Sequence, residues 1–333
     1  MRRRVLAAVG TALTLSLLGG GLTANADPAP TPGPTIDSVK VERVDELTPT
    51  RSAVFIESPA MQRVIQVQVL HPAGGGSRPS LYMLDGVSAG EESNYTESTW
   101  TQKTDIVDFF SGKNVNVVLP VGGMGSYYTN WNRPDPVLGI NQWETFLTQE
   151  LPPIIDSKFN GNGTNSIAGV SMGAMGAGNL ITRHPNMYQG LAAFSGCLDN
   201  TQPSSRESVR GTVAYKGGDV LNMWGPDSDP AWNEHDPTRH AEQLRGKDIY
   251  ISTGNGLPGP HERSAGGDLA SAIAVGGPLE AAAYLCTQTF QKRLDELQIP
   301  ATFTYHNWGT HSWPYWQDEL KAAWPVLKRS LGL

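Results

Sequence analysis

Ser166-Ile167-Ala168-Gly169-Val170-Ser171-Met172-Gly173-Ala174-Met175-Gly176-Ala177-Gly178 reads as a short strand over Ser166–Gly169, a sharp turn at Ser171, and a helix to His184 that Pro185 stops. Gly169-Val170-Ser171-Met172-Gly173 is a G-x-S-x-G sequence, a pattern that chance supplies often in a glycine-rich chain. Between a strand and a helix it gains meaning, because such a turn lifts the Ser171 hydroxyl above the sheet and small neighbours leave room for it. Each glycine inside a helix costs about 1 kcal/mol relative to alanine. Gly173, Gly176 and Gly178 therefore imply close approach of other backbone, although packing alone accounts for the last two.

Outward from this stretch, Arg63–Leu70 alternates like a strand, and Leu81–Leu84, Val115–Leu119, Leu191–Phe194, Ile249–Ser252 and Thr302–His306 read as further strands. Pro278–Leu297 and Trp316–Leu331 have helical length, as does Asn141–Phe159, which Pro152-Pro153 must bend or divide. Strands alternating with helices predict an α/β fold with a mostly parallel central sheet and helices on both faces. Asn200–Asp236 is rich in Gly, Pro and Asp, reads as irregular, and is expected to fold over the site. Among 333 residues there are 37 glycines and 24 prolines, more than average but short of a low-complexity chain. With 17% charged residues the composition is that of a globular protein with long loops.

Arg2, Arg3 and Arg4 precede an apolar run, Val5–Leu18, and small residues ending in Ala24-Asn25-Ala26. That is the anatomy of a secretory signal peptide over residues 1–26, cleaved on export. The run is shorter than the roughly 20 residues that span a bilayer, so a retained anchor is the lesser reading, and the arginines give only weak support for twin-arginine export. Pro28, Pro30, Pro32 and Pro34 mark residues 27–35 as an extended spacer, leaving a single domain over 36–333. Export permits Cys197 and Cys286 to pair, and two free thiols fit the sequence equally. A net charge of −7 argues against nucleic acid as a partner. The sequence has no CxxC, HExxH or zinc-type cluster, so a metal enzyme is not expected.

A serine hydroxyl needs a base and the base an orienting acid, and in this kind of sheet the chain order is Ser, acid, His. His71 precedes the turn. His184 closes the helix that Ser171 opens, where it suits the helix end. His235, His240 and His261 lie in the irregular middle. His306 ends the last strand, whereas His311 lies in the loop before the closing helix and is the better-placed base. Glu262, Asp268 and Glu280 are the candidate acids; topology leans to the loop residues Glu262 or Asp268 without deciding.

Taken together, Leu84-Asp85-Gly86, Leu119-Pro120-Val121-Gly122-Gly123, Trp143-Glu144-Thr145-Phe146-Leu147-Thr148, Gly169-Val170-Ser171-Met172, Met223-Trp224-Gly225-Pro226, Gly254-Asn255-Gly256 and Gly309-Thr310-His311-Ser312-Trp313 occur in an order that resembles the antigen 85 type mycolyltransferases. The resemblance runs from about Val64 to Leu331 and looks closer to the corynebacterial-type branch. It implies an α/β-hydrolase fold and a triad of Ser171, Glu280 and His311, which overrides the leaning to a loop acid. It also implies an oxyanion hole formed by the backbone N–H groups of Val87 and Met172, and substrate contacts from Asp85, Ser312 and Trp313. The implied reaction moves a mycolyl chain from trehalose monomycolate through an acyl-serine to a second sugar hydroxyl, giving trehalose dimycolate or arabinogalactan mycolate. No metal or organic cofactor takes part. Trehalose mycolates and cell-wall polysaccharide are the expected partners, the protein being a monomer with no membrane span after cleavage, secreted or held in the cell envelope. Ser88 stands where mycobacterial members carry a sugar-binding Arg, and Thr253 where they carry Cys, departures that imply another acceptor or another grip on it. A carboxylesterase or thioesterase with the same triad, and a non-catalytic matrix-binding adhesin, are the competing readings.

Overall fold

The computed structural model describes residues 39–264 and 269–333. The leader at 1–26, the spacer at 27–35 and Asp268 lie outside the described residues. Among the described residues nine strands make one sheet: β1 (Lys40–Thr48), β2 (Arg51–Ser58), β3 (Arg63–Leu70), β4 (Arg78–Leu84), β5 (Asn116–Val121), β6 (Gly161–Val170), β7 (Tyr188–Phe194), β8 (Asp248–Thr253) and β9 (Thr302–Tyr305). Their spatial order is β1-β2-β3-β5-β4-β6-β7-β8-β9. The pairs β1–β2, β2–β3 and β3–β5 are antiparallel, and every other pair is parallel. The sheet is therefore mixed, with its parallel half carrying the turn at Ser171.

Alternation along the central strands explains why both faces are covered. Tyr82 and Leu84, Val118, Ile167, Leu191 and Ala193 point into one apolar core. Their neighbours Leu81 and Met83, Val117 and Leu119, Ala168 and Val170, Ala192 and Phe194 point into the other. A strand that is apolar at every position is what a sheet buried on two sides requires. The helices used below are α1 (Thr99–Lys103), α2 (Leu151–Phe159), α3 (Met172–Arg183), α4 (Pro203–Tyr215), α5 (Gly277–Glu296) and α6 (Trp313–Ser330). Ile154 and Ile155 of α2, Leu180 and Ile181 of α3, and Phe290 and Leu294 of α5 pack on the first face. Trp100 of α1 and Trp316, Leu320, Ala323 and Leu327 of α6 pack on the second.

Three local readings change. β1 and β2 have no counterpart in the sequence-based assignment; β1 is a solvent-exposed edge strand with scarcely any buried residue, so the apolar alternation that marks a strand is missing. The stretch that contains Pro152-Pro153 is divided as expected, but just before the prolines and not at them. A wider turn over Phe146–Glu150, in which the Leu151 N–H bonds to the Phe146 carbonyl, precedes them, and the prolines occupy the start of α2 where absent donors cost little. The stretch Asn200–Asp236 is not wholly irregular, because it contains α4. Only Ser205, Val209 and Val213 of that helix are buried, a stripe too thin and too poor in large apolar residues to reveal the helical period.

Candidate active site

The N-terminus of α3 is pressed against the end of β4. A Cβ at Gly173 would lie 2.3 Å from the Asp85 carbonyl oxygen, and one at Gly169 2.1 Å from the Gly173 carbonyl; nothing larger than glycine fits at either position. Ser171, between them, adopts φ 77° and ψ −111°, a conformation that side chains other than glycine rarely take and that is characteristic of strained functional turns. Its N–H donates to the Phe194 carbonyl at 2.9 Å, which fixes the turn to the end of β7.

Ser171 Oγ lies 2.7 Å from His311 Nε2, and His311 Nδ1 lies 2.8 Å from Glu280 Oε2. The loop between β9 and α6 brings in the histidine and the first turn of α5 brings in the acid. Glu280 is 2% exposed, and its second oxygen accepts from Ser195 Oγ at 2.7 Å, Thr253 Oγ1 at 3.1 Å and the Gly254 N–H at 2.6 Å. Trp316 Nε1 in turn donates to Ser195 Oγ at 2.9 Å, and its ring meets the His311 ring edge-on at 4.9 Å. Nucleophile, base and acid thus form one hydrogen-bonded series whose far end is locked in the core. Sequence reasoning missed Ser195 and Trp316; the one available signal was a serine directly after the strand that ends at Phe194.

The other histidines have separate partners. His306 Nε2 lies 2.6 Å from Glu319 Oε1, and His184 Nε2 lies 2.7 Å from Glu144 Oε1, which also accepts from Arg183 Nε at 2.8 Å. His184 is therefore held by a carboxylate and not by the helix end alone. Glu262, a rejected candidate acid, does not touch His311 but accepts from Thr310 Oγ1, Tyr315 OH and the Gly259 N–H.

Two cavities meet at Ser171 and His311. The smaller, about 80 Å³, is lined by Gly86, Val87, Ser88, Glu92, Trp313 and Trp316. Val87 thus shares a cavity with Ser171, and Met172 is the first residue of α3, whose opening N–H groups have no intrahelical acceptor. Trp313 reaches this cavity while stacking edge-on with Trp100 at 5.1 Å. Ser312 is not among its lining residues; its hydroxyl lies 3.4 Å from Thr310 Oγ1. The larger cavity, about 200 Å³, has Tyr127, Met175, Val209, Leu279, Ala282 and Leu285 on its walls together with Cys197 and Cys286. Those two cysteines form a disulfide. Val209 comes from α4, so the middle region does close over the site. Among the described residues no cluster of His, Cys, Asp and Glu could hold a metal ion, and no helix is long and apolar enough to cross a membrane.

Asp85 departs from the role assigned by resemblance. It is fully buried and accepts from Ser98 Oγ at 2.8 Å, the Thr99 N–H at 2.9 Å and the Trp100 N–H at 3.3 Å. A carboxylate enclosed by the start of α1 has no surface left for a sugar; it fixes α1 to the end of β4. Burial pushes its pKa up to about 6 despite these donors. Between about pH 4 and pH 6 the folded chain keeps a proton there that the unfolded chain has lost, so stability falls as pH rises through that window and levels off above it. In Asp85→Asn this component is absent. The unfolding free energy of the natural protein minus that of the variant should drop by on the order of 2–3 kcal/mol across the window. Denaturant titrations at several pH values measure it, and a flat difference would remove Asp85 as its source.

Residues 58–327 match the Esterase family. The diacylglycerol acyltransferase/mycolyltransferase Ag85A of Mycobacterium tuberculosis is 32% identical, with 99% of this chain and 92% of the relative covered. Ag85B of Mycobacterium avium, which carries the same description, is 31% identical over 99% of this chain and 94% of its own length. The crystal structure of Mycobacterium tuberculosis MPT51 (FbpC1) superposes with a TM-score of 0.69 at 24% identity, covering 82% of this chain and 96% of that one, a likeness of fold.

Proposed function

The chain belongs to the Esterase family, among the Ag85 acyltransferases and mycolyltransferases, and from that premise we propose that it transfers a mycolyl chain to a sugar hydroxyl through an acyl-enzyme on Ser171. The observation that carries the reading is the unbroken series Ser171–His311–Glu280 at a strained turn beside an apolar cavity. His311 Nε2 takes the proton as Ser171 Oγ attacks the acyl carbonyl, and Glu280 holds the imidazole so that Nδ1 carries its hydrogen toward the carboxylate. The Met172 and Val87 N–H groups stabilise the oxyanion of the tetrahedral intermediate. Collapse releases the first sugar, which recovers a proton from His311. An acceptor hydroxyl then enters the small cavity, gives its proton to His311 and attacks the ester in a second, mirrored step.

Water is the competing acceptor. Trp313 and Trp316 on one side and the apolar wall with Leu279 and Leu285 on the other favour transfer by narrowing its access to the acyl-enzyme. The proposed donor is a trehalose mycolate, the acceptor a second trehalose mycolate or a cell-wall polysaccharide, and the place of action the cell envelope, reached by way of the leader at 1–26. The test is incubation of the purified protein with trehalose monomycolate. Dimycolate formed by the natural protein and lost in Ser171→Ala supports the proposal. Free mycolic acid as the sole product would make the protein a hydrolase, and no turnover would remove the catalytic reading.

A further inference from the structure

We propose that Glu262 is a second acid of the site, a positioning residue that sets His311 by holding the loop on which it stands. This rests on the acyl-transfer reading above and adds to it a group that does not touch substrate or the reacting atoms.

His311 has two supports that differ in kind. Its ring is fixed by Glu280 Oε2 at 2.8 Å, but a ring is only as well placed as its backbone. That backbone is a short loop between β9 and α6, and most of what restrains it comes from one segment, Gly254–Glu262. The Gly309 N–H donates to the Leu257 carbonyl at 2.7 Å, and the Gly256 N–H donates to the Gly309 carbonyl at 2.9 Å. A Cβ on Gly254 would lie 2.6 Å from the carbonyl oxygens of Trp308 and Gly309, so the two stretches are in backbone contact. Ties from elsewhere are the His311 N–H to the Gly276 carbonyl at 3.2 Å, the His306 N–H to the Thr253 carbonyl at 3.0 Å and His306 Nε2 to Glu319 Oε1 at 2.6 Å.

Glu262 closes this arrangement at its other end. One oxygen accepts from Thr310 Oγ1, the other from Tyr315 OH and from the Gly259 N–H at 2.7 Å. Thr310 immediately precedes His311 and is buried; Tyr315 lies in the first turn of α6 just beyond it. The carboxylate thus grips the loop on both sides of the base. Burial works against its charge, but the hydroxyls of Thr310 and Tyr315 and the Gly259 amide outweigh it and hold its carboxyl below the ordinary glutamate range. Hydrogen bonds to an ionised acceptor are stronger than neutral ones. A carboxylate receiving two side-chain hydroxyls is therefore a stiff link between these segments, beside their backbone contacts and the His261 ring edge-on to Tyr315. Nucleophilic attack depends on keeping Ser171 Oγ and His311 Nε2 at hydrogen-bond distance, and displacement by about 1 Å costs on the order of a hundredfold in rate.

The experiment is a double-mutant cycle between Glu262→Gln and Thr310→Val, read by the rate at which a fluorophosphonate labels Ser171. In that reaction the Oγ–P bond forms, fluoride leaves, and the Oγ proton passes to His311, so the rate reports nucleophile activation without any acceptor. Labelling should slow roughly ten- to a hundredfold in each single variant, with the double variant no slower than the worse single one. Thr310→Ser, which keeps the hydroxyl, should label within twofold of the natural protein. On a soluble p-nitrophenyl ester the loss should fall on kcat and leave KM in place. Should Glu262→Gln fail to fold, Thr310→Val removes the same bond from the other end and carries the test. Single variants that label within twofold of the natural protein, or penalties that multiply in the double variant, would overturn the positioning role while leaving the acyl-transfer reading intact. Labelling of the natural protein that persists in Ser171→Ala would overturn that reading and this inference with it.

Discussion

Glu280→Gln should lower kcat for acyl transfer about 10⁴-fold with little change in KM. The size follows from what a glutamine presents to the imidazole. Glu280 Oε2 faces His311 Nδ1 and Oε1 receives three donors, from Ser195, Thr253 and Gly254. An amide has one oxygen, and three donors on one side claim it. The NH₂ group then points at His311 Nδ1 and favours the tautomer with its hydrogen on Nε2, where it can no longer accept from Ser171. KM is spared because the residue is buried and meets no substrate. His311→Ala should cost about 10⁶-fold, and adding Glu280→Gln to it should cost almost nothing more, since the groups work as a unit. Steady-state kinetics on trehalose monomycolate and on a soluble ester check both. If Glu280→Gln keeps more than a tenth of the natural rate, some other carboxylate orients the base.

The site illustrates which parts of a structure a sequence exposes. Ser171 was readable because its turn needs glycines on both sides and a strand and helix around it, all local requirements. His311 was readable from its place after the last strand. The acid was not, because Glu262 and Glu280 are both acidic residues between the same two strands. What separates them is three-dimensional: Glu280 starts a helix that faces the end of β7, where Ser195 waits, whereas Glu262 turns toward Thr310 and Tyr315. Resemblance chose Glu280, and the structure puts that residue against His311. Resemblance also gave Asp85 a sugar contact, and there the burial of its carboxylate under α1 leaves no room for one. A strand-end acid can serve a sugar or a helix N-terminus, and the motif looks the same in both cases. The alternating faces of the parallel strands were legible for a simpler reason: strands buried on two sides are apolar throughout. β1, exposed along nearly its whole length, carries no such pattern.

The disulfide gives the second large effect. Cys197 follows β7 by three residues, two beyond Ser195, and Cys286 lies on α5 less than two turns after Glu280. The bond therefore joins the two elements that together make the cradle of Glu280, the strand end with its serine and the helix with its acid. It closes a loop of 89 residues, and loop-closure entropy for that length gives about 4.6 kcal/mol. Replacing both cysteines by serine should lower the unfolding free energy by about that amount, and Tm by on the order of 10 °C for a chain of this size. A second consequence separates a simple brace from a part of the site. Both sulfurs also line the larger cavity beside Ser171, with Leu279, Ala282 and Leu285 of α5. Loosening α5 should move Glu280 and the cavity wall together, so kcat should fall and KM for a long-chain donor should rise, while KM for an acetyl or butyryl ester stays put. Calorimetry of the double variant and of the natural protein under reductant measures the first effect, and a comparison of long and short acyl donors measures the second. A Tm within about 2 °C of the natural value would show that native contacts alone hold α5 to the sheet. An equal change in KM for long and short donors would place the bond outside acyl recognition and leave it the task of keeping Glu280 within reach of His311.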